Sequence, residues 1–97
     1  MADQNMTNQT QARQTLIEFP CDFPLKIMGQ RVDEFAQAVV AVVVEHAPDF
    51  DPSSVEMRPS SKGTYLSLTC TVRATSQVQL DGLYRALTAH PLVKVVL

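Results

Sequence analysis

The sequence predicts one α+β domain whose strand, helix, strand, strand, helix and strand fold as a four-stranded antiparallel sheet with both helices on one face. Three observations carry this. A two-residue alternation runs through Tyr65-Leu66-Ser67-Leu68-Thr69-Cys70-Thr71-Val72-Arg73, the pattern of a strand with one buried face. Apolar residues recur at helical spacing through Phe35, Ala36, Val39 and Val43, and again through Leu80, Leu83, Tyr84 and Leu87, each a stripe for one side of a helix. The two strand-helix-strand halves, joined by right-handed crossovers, then place both helices on the same side of a single sheet.

Residues 1–18 read as a flexible polar tail and residues 19–97 as the domain. The first fifteen residues are rich in Gln, Asn and Thr and hold no apolar run that could act as a signal peptide. Phe19-Pro20-Cys21-Asp22-Phe23-Pro24 comes next, where two prolines forbid a helix and suit an extended lead-in to the sheet. Leu25 and Ile27 then alternate with Lys26 and Met28 as a short first strand ending at Gly29. A helix is expected over 33–47, with Val32 on its apolar stripe, Asp33 and Glu34 at the positive end of its dipole and Pro48 just past its end. Its run Val39-Val40-Ala41-Val42-Val43-Val44 favours a strand locally, but about fifteen residues exceed an ordinary strand. Residues 49–54 form a loop.

Val55 and Met57 alternate with Glu56 and Arg58 to give the second strand. A four-residue loop over 60–63 sets Met57 against Leu66 and Val55 against Leu68, with Arg58 facing Tyr65 on the exposed side. Ser76 is the expected N-cap of the second helix, with Gln79 three residues later as its capping-box partner. Pro91 marks that helix's end, and residues 92–97 form a last strand at the sheet edge.

A chain of 97 residues with such a tail sits near the lower range of independently stable domains, so a homodimer is expected to help. A net charge of −2 provides no overall basic field for nucleic acid. The apolar run over 36–44 is far too short to span a bilayer, and the protein is expected to be cytoplasmic, with no membrane or nucleic-acid partner. Cys21 and Cys70 lack CxxC spacing. Cys70 falls on an inward strand face, where a reduced cysteine is a small apolar residue, and Cys21 lacks a basic neighbour to activate it. His46 and His90 lie near helix C-termini, where imidazole suits the negative end of the dipole, and neither has ligands at metal-binding spacing. With no nucleophile-base pair visible, no enzymatic activity, cofactor or metal is expected.

Functions that other βαββαβ sheets perform leave recognisable residues, and these are missing here. An acylphosphatase needs an asparagine to orient water, yet Asn5 and Asn8 both lie in the tail. A metal chaperone needs CxxC where this chain has Gly29-Gln30-Arg31-Val32. An RNA-recognition sheet needs stacking aromatics, whereas the exposed face is expected to show Lys26, Met28, Ser67, Thr69, Thr71, Arg73, Lys94 and Val96, with Tyr65 at the rim.

Two segments could bind something. The junction Gly29, Gln30, Arg31, Val32 and Asp33 could hold a small anion or amino acid on the free amides of the first helix, with Arg31 as counter-charge. Its plainer account is a tight turn beside a solvated arginine. The hairpin residues Arg58, Ser60, Ser61, Lys62 and Gly63, with Tyr65, could cradle a phosphate in a backbone nest or meet a partner. They are also what a well-formed turn requires, and a cross-strand cation-π pair would account for Arg58 and Tyr65.

The Phe19-Pro20, Phe23-Pro24 and Lys26-Ile27-Met28-Gly29 segments, His46-Ala47-Pro48, and Arg58-Pro59-Ser60-Ser61-Lys62-Gly63-Thr64-Tyr65 together resemble the YbeD-like family of small bacterial proteins of unknown function. The resemblance covers residues 19–97, anchored by the Met-Gly strand end and the Pro-Ser-Ser-Lys-Gly-x-Tyr hairpin. It implies a ferredoxin-like fold similar to the ACT regulatory domains, which bind amino acids and other small metabolites. The family has no established enzymatic activity and carries a speculative link to lipoate metabolism. ACT-like domains take up effectors where the first strand meets the first helix, which here is Gly29 to Asp33. The expected role is a non-enzymatic regulatory module sensing a small-molecule effector at that junction, a partner protein, or both. The alternative is an adaptor that binds protein through the open sheet face or the 60–63 hairpin. Two copies would meet through that face or the final strand.

Overall fold

The structure, a computed structural model, describes residues 17–97. Of the polar tail expected over 1–18, residues 1–16 lie outside the described residues. Six main elements follow in the expected order: β1 (Cys21–Gln30), α1 (Asp33–His46), β2 (Glu56–Pro59), β3 (Tyr65–Ala74), α2 (Gln77–Ala89) and β4 (Val93–Val96). A 3-10 turn at Pro52–Ser54 interrupts the expected loop. The strands lie in the order β2-β3-β1-β4, all antiparallel. This is the ferredoxin-like βαββαβ arrangement, and it puts β4 at one edge and β2 at the other.

β1 is longer than the short strand expected over 25–29, because Cys21 and Phe23 continue the inward alternation of Leu25 and Ile27 and pack half-buried against the core. Pro24 is accommodated within it. Lys26 exchanges both backbone hydrogen bonds with Leu97, at 3.2 and 2.8 Å, so the two-residue period turns the Pro24 nitrogen to the same side. No residue of β4 pairs there, and no donor is needed.

The β2–β3 hairpin is shifted by two residues from the expected register. Met57 opposes Leu68, Arg58 opposes Ser67 and Pro59 opposes Leu66. Ser60 closes the loop by donating its N–H to the Tyr65 carbonyl at 2.9 Å and accepting the Tyr65 N–H on its Oγ at 3.1 Å. The four loop residues are therefore 61–64. Backbone geometry explains the choice: Gly63 adopts φ 73°, a left-handed conformation open to glycine, and donates to the Ser60 carbonyl at 2.9 Å. A two-residue shift preserves which face each side chain takes, yet Met57 remains 61% exposed on its short edge strand.

β4 carries a bulge. Val96 opposes Ile27 and Val95 opposes Met28, but Gly29 opposes Val93, leaving Lys94 as the extra residue. Two successive residues, Lys94 and Val95, thus turn outward, and Val96 turns toward the core. The expectation that Val96 lies on the open face assumed an uninterrupted alternation, and the bulge overturns it.

Between the sheet and the helices, Leu25, Ile27, Leu68, Cys70 and Val72 meet Phe35, Val39 and Val43 of α1 and Leu80, Leu83 and Leu87 of α2. Val32 does not join the stripe: it is the N-cap of α1 and 37% exposed. The valine-rich run 39–44 is helical, as its length required. Ser76 caps α2, its Oγ accepting the Gln79 N–H at 3.1 Å. The reciprocal bond lands one residue earlier than a capping box places it, since Gln79 Oε1 accepts from the Thr75 N–H at 2.6 Å. The same side chain donates through Nε2 to the His46 carbonyl at 2.9 Å, so it binds the end of α1 to the start of α2.

Candidate functional site

The two segments singled out in the sequence meet in space. Gln30 opposes Tyr65 across β1 and β3, and the Arg31 N–H donates to the Thr64 carbonyl at 3.0 Å. The Arg31 Nη1 lies 3.4 Å from where a Cβ on Gly63 would sit. The β1–α1 junction and the hairpin tip therefore form one end of the molecule.

Gly29 itself is not available to a ligand. It neither ends the strand nor turns it; it is buried within β1, and a Cβ there would collide with the Leu92 carbonyl oxygen and the Phe35 ring. Its lack of a side chain is what allows the β4 approach and the Phe35 ring to close over it. Beyond it, Gln30, Arg31, Val32 and Asp33 are exposed, and no side chain caps the first turn of α1.

The best-formed concavities among the described residues lie on the other side of the sheet, away from the helices. One of about 490 Å³ is lined by Lys26, Glu56, Met57, Arg58, Ser67 and Thr69. A second, of about 270 Å³, shares Lys26, Arg58 and Ser67 with it and adds Met28, Ser60, Tyr65 and Leu97. A third, of about 360 Å³, is lined by Met28, Tyr65, Lys94 and Val95. The shared residues join them into one trough crossing the sheet from β2 to β4. A smaller hollow of about 190 Å³, lined by Ser60, Ser61, Lys62, Thr64 and Tyr65, sits at its hairpin end.

Strand alternation places the lining side chains of β1 and β3. The odd residues Leu25 and Ile27 of β1 and the even residues Leu68, Cys70 and Val72 of β3 are buried, so Lys26, Met28, Tyr65, Ser67 and Thr69 point outward. The hairpin shift places Arg58 diagonal to Tyr65, so the directly opposed pair expected from the sequence is not formed. Both still line the second concavity. Asp22 and Arg73, opposed across β1 and β3, are ion-paired at 3.2 Å.

Of the sequence candidates, Arg58, Ser60, Ser61, Lys62 and Tyr65 line the trough or its hairpin hollow, while Gly63 shapes the turn. The sequence reading put Lys26, Met28 and Lys94 on the exposed face but not in a site, although alternation around Leu25 and Ile27 was enough to align the first two. Val95 was missed, because the bulge that exposes it leaves no mark in an unbroken apolar run.

Burial pushes the Cys70 thiol up to about 11 and raises the Tyr84 hydroxyl. His46 donates from Nδ1 to the Val42 carbonyl at 3.0 Å, and His90 Nδ1 accepts from the Leu92 N–H at 3.1 Å, so each imidazole serves a helix end. Among the described residues no three His, Cys, Asp or Glu side chains group as metal ligands, and no helix is long and apolar enough to cross a membrane.

These features define a ferredoxin-like α+β domain with helices on one face of its sheet and a cation-rimmed trough on the other. The chain belongs to the family described as Protein of unknown function (DUF493), whose model matches residues 14–97. It is 58% identical over 97 residues to a UPF0250 protein of Ralstonia nicotianae, covering 100% of both chains. A UPF0250 protein of Bordetella pertussis is 61% identical over 84 residues, which cover 87% of this chain and 92% of the relative. One from Nitrosomonas europaea is 55% identical over 84 residues, covering 87% and 97%. The family match bears out the YbeD-like resemblance, in a bacterial family of unknown function.

Proposed function

We propose that the domain is a binding module without chemistry of its own, which receives a partner protein on its open sheet face. The trough carries this reading: it joins exposed apolar groups, with Tyr65 45% and Val95 43% exposed, to a polar and charged rim, the makeup of a surface that associates with a partner. The test is a photo-crosslinking amino acid introduced at Met28, Tyr65 or Val95, and in a control at Arg85 on α2. Adducts from the sheet positions and none from Arg85 are expected. Adducts from Arg85 alone would overturn the reading.

A regulatory effector site at Gln30, Arg31, Val32 and Asp33, beyond the buried Gly29, is the second reading, favoured by the exposed, uncapped first turn of α1. Titration with amino acids, lipoate and nucleotides separates the two. Amide shifts over 30–34 without crosslinks on the sheet face would favour the effector.

A further inference from the structure

Charge is divided between the two faces of this domain. The four strands and the β2–β3 loop carry Lys26, Arg58, Lys62, Arg73 and Lys94 against Asp22 and Glu56. The two helices carry Arg85 against Asp33, Glu34, Glu45 and Asp81. A chain of net charge −2 thus presents a cationic sheet and an acidic helical layer. Arg73 is paired with Asp22, which leaves Lys26, Arg58 and Lys94 as the cations of the trough, with Glu56 at one end. Toward β4 the floor is apolar, through Met28, Tyr65 and Val95, and toward β2 it is polar, through Ser67 and Thr69.

We propose that the occupant of the trough is an acidic segment of a partner protein, bearing carboxylates that meet Lys26, Arg58 and Lys94 and apolar side chains that cover Met28 and Val95. This rests on the open-face reading above and gives it a partner chemistry. Charge complementarity selects the partner and speeds its encounter, while the apolar floor supplies the burial. Nucleic acid suits the surface less well, since among the described residues Tyr65 is the face's one aromatic on which a base could stack. A second copy docked face to face would set the same cations against each other.

The test is an amide-shift titration of the full chain with a synthetic peptide alternating Glu and Leu. Its Lys-Leu counterpart, a single-stranded oligonucleotide and phosphatidylglycerol vesicles serve as competitors. The Glu-Leu peptide is expected to move Lys26, Met28, Arg58, Lys94 and Val95. Its affinity should fall at least about tenfold as salt shortens the screening length from about 10 Å at 0.1 M to about 3 Å at 1 M. The K26E/R58E/K94E variant, changed at exposed positions only, is expected to reverse the preference between the two peptides. Should that variant fail to fold, the salt series and the Lys-Leu control on the natural chain decide.

Equal binding of both peptides, tighter binding of the oligonucleotide or vesicles, or shifts confined to the helices would overturn the proposal. So would salt-dependent self-association of the chain alone, which would make the acidic helices of a second copy the occupant. Sheet-face crosslinks with no preference for the acidic peptide would overturn the partner chemistry and leave the open-face reading standing.

Discussion

Two glycines in this chain have opposite physical reasons, and substitution should separate them. At Gly29 the obstacle is space: an added methyl meets the Leu92 carbonyl and the Phe35 ring, neither of which can move without disturbing β4 or the core. Gly29→Ala is expected to cost about 2–3 kcal/mol, at the upper end of overpacking penalties. At Gly63 the obstacle is the backbone angle, since the nearest atom is the flexible end of Arg31 at 3.4 Å. Gly63→Ala should cost about 1 kcal/mol, and Gly63→Asn less. Urea midpoints of the three variants check the ranking. The two thiols also differ. Cys70 is fully buried and holds its proton to about 11, against 9.0 for an exposed thiol. Its contribution to stability is therefore complete below pH 9.0 and is lost progressively as pH rises toward 11. In a native thiol-reagent assay only half-buried Cys21 should react, with Cys70 following on unfolding. Alternation alone placed Cys70 inside. It could not reveal what Gly29 does, because the atoms that crowd it come from residues 35 and 92, six and 63 positions away.

At the scale of elements, helices and strands were legible where a period runs long enough. The alternation of β3 and the stripes of α1 and α2 fixed three elements to within a residue or two, and Ser76 announced its own cap. The shorter strands were less informative. The hairpin was expected with its loop over 60–63; a loop over 61–64 keeps the same face parity, and it is the one formed, with Gly63 at positive φ. In β4 nearly every side chain is apolar, so hydrophobicity cannot say which residues face inward; the bulge opposite Gly29 decides it. Gln79 shows a further link that no local pattern contained. Its carbonyl oxygen secures the start of α2 and its amide nitrogen reaches the His46 carbonyl of α1. Gln79→Glu keeps the first bond and loses the second, placing a carboxylate against a carbonyl. A loss of about 1–2 kcal/mol is expected by thermal melting, with Gln79→Ala no less harmful.

Across the whole molecule, net charge concealed more than it showed, because a cationic sheet and acidic helices cancel each other within the total of −2. The composition argued correctly against an overall basic field, but the separation arises only when strand alternation and topology gather Lys26, Arg58 and Lys94 on one surface. The candidate site was therefore half legible: its hairpin half lay in a recognisable motif, and its other half required β1 and β4 to be laid side by side. The two margins of the sheet also differ. By the alternation that pairs Ser60 with Tyr65, the Pro59 nitrogen points away from β3, and it carries no hydrogen. Among the described residues no strand pairs with the outer edge of β4, which is apolar apart from Lys94. Replacing Pro59 with valine restores the donor and is expected to raise higher-order association, visible as increased light scattering at high protein concentration. A ribbon that lengthens by adding copies of itself needs an acceptor at both ends, and this one has a blunt end. Were two chains to pair through β4, the ribbon would stop at two, with one proline standing between that pair and a growing fibre.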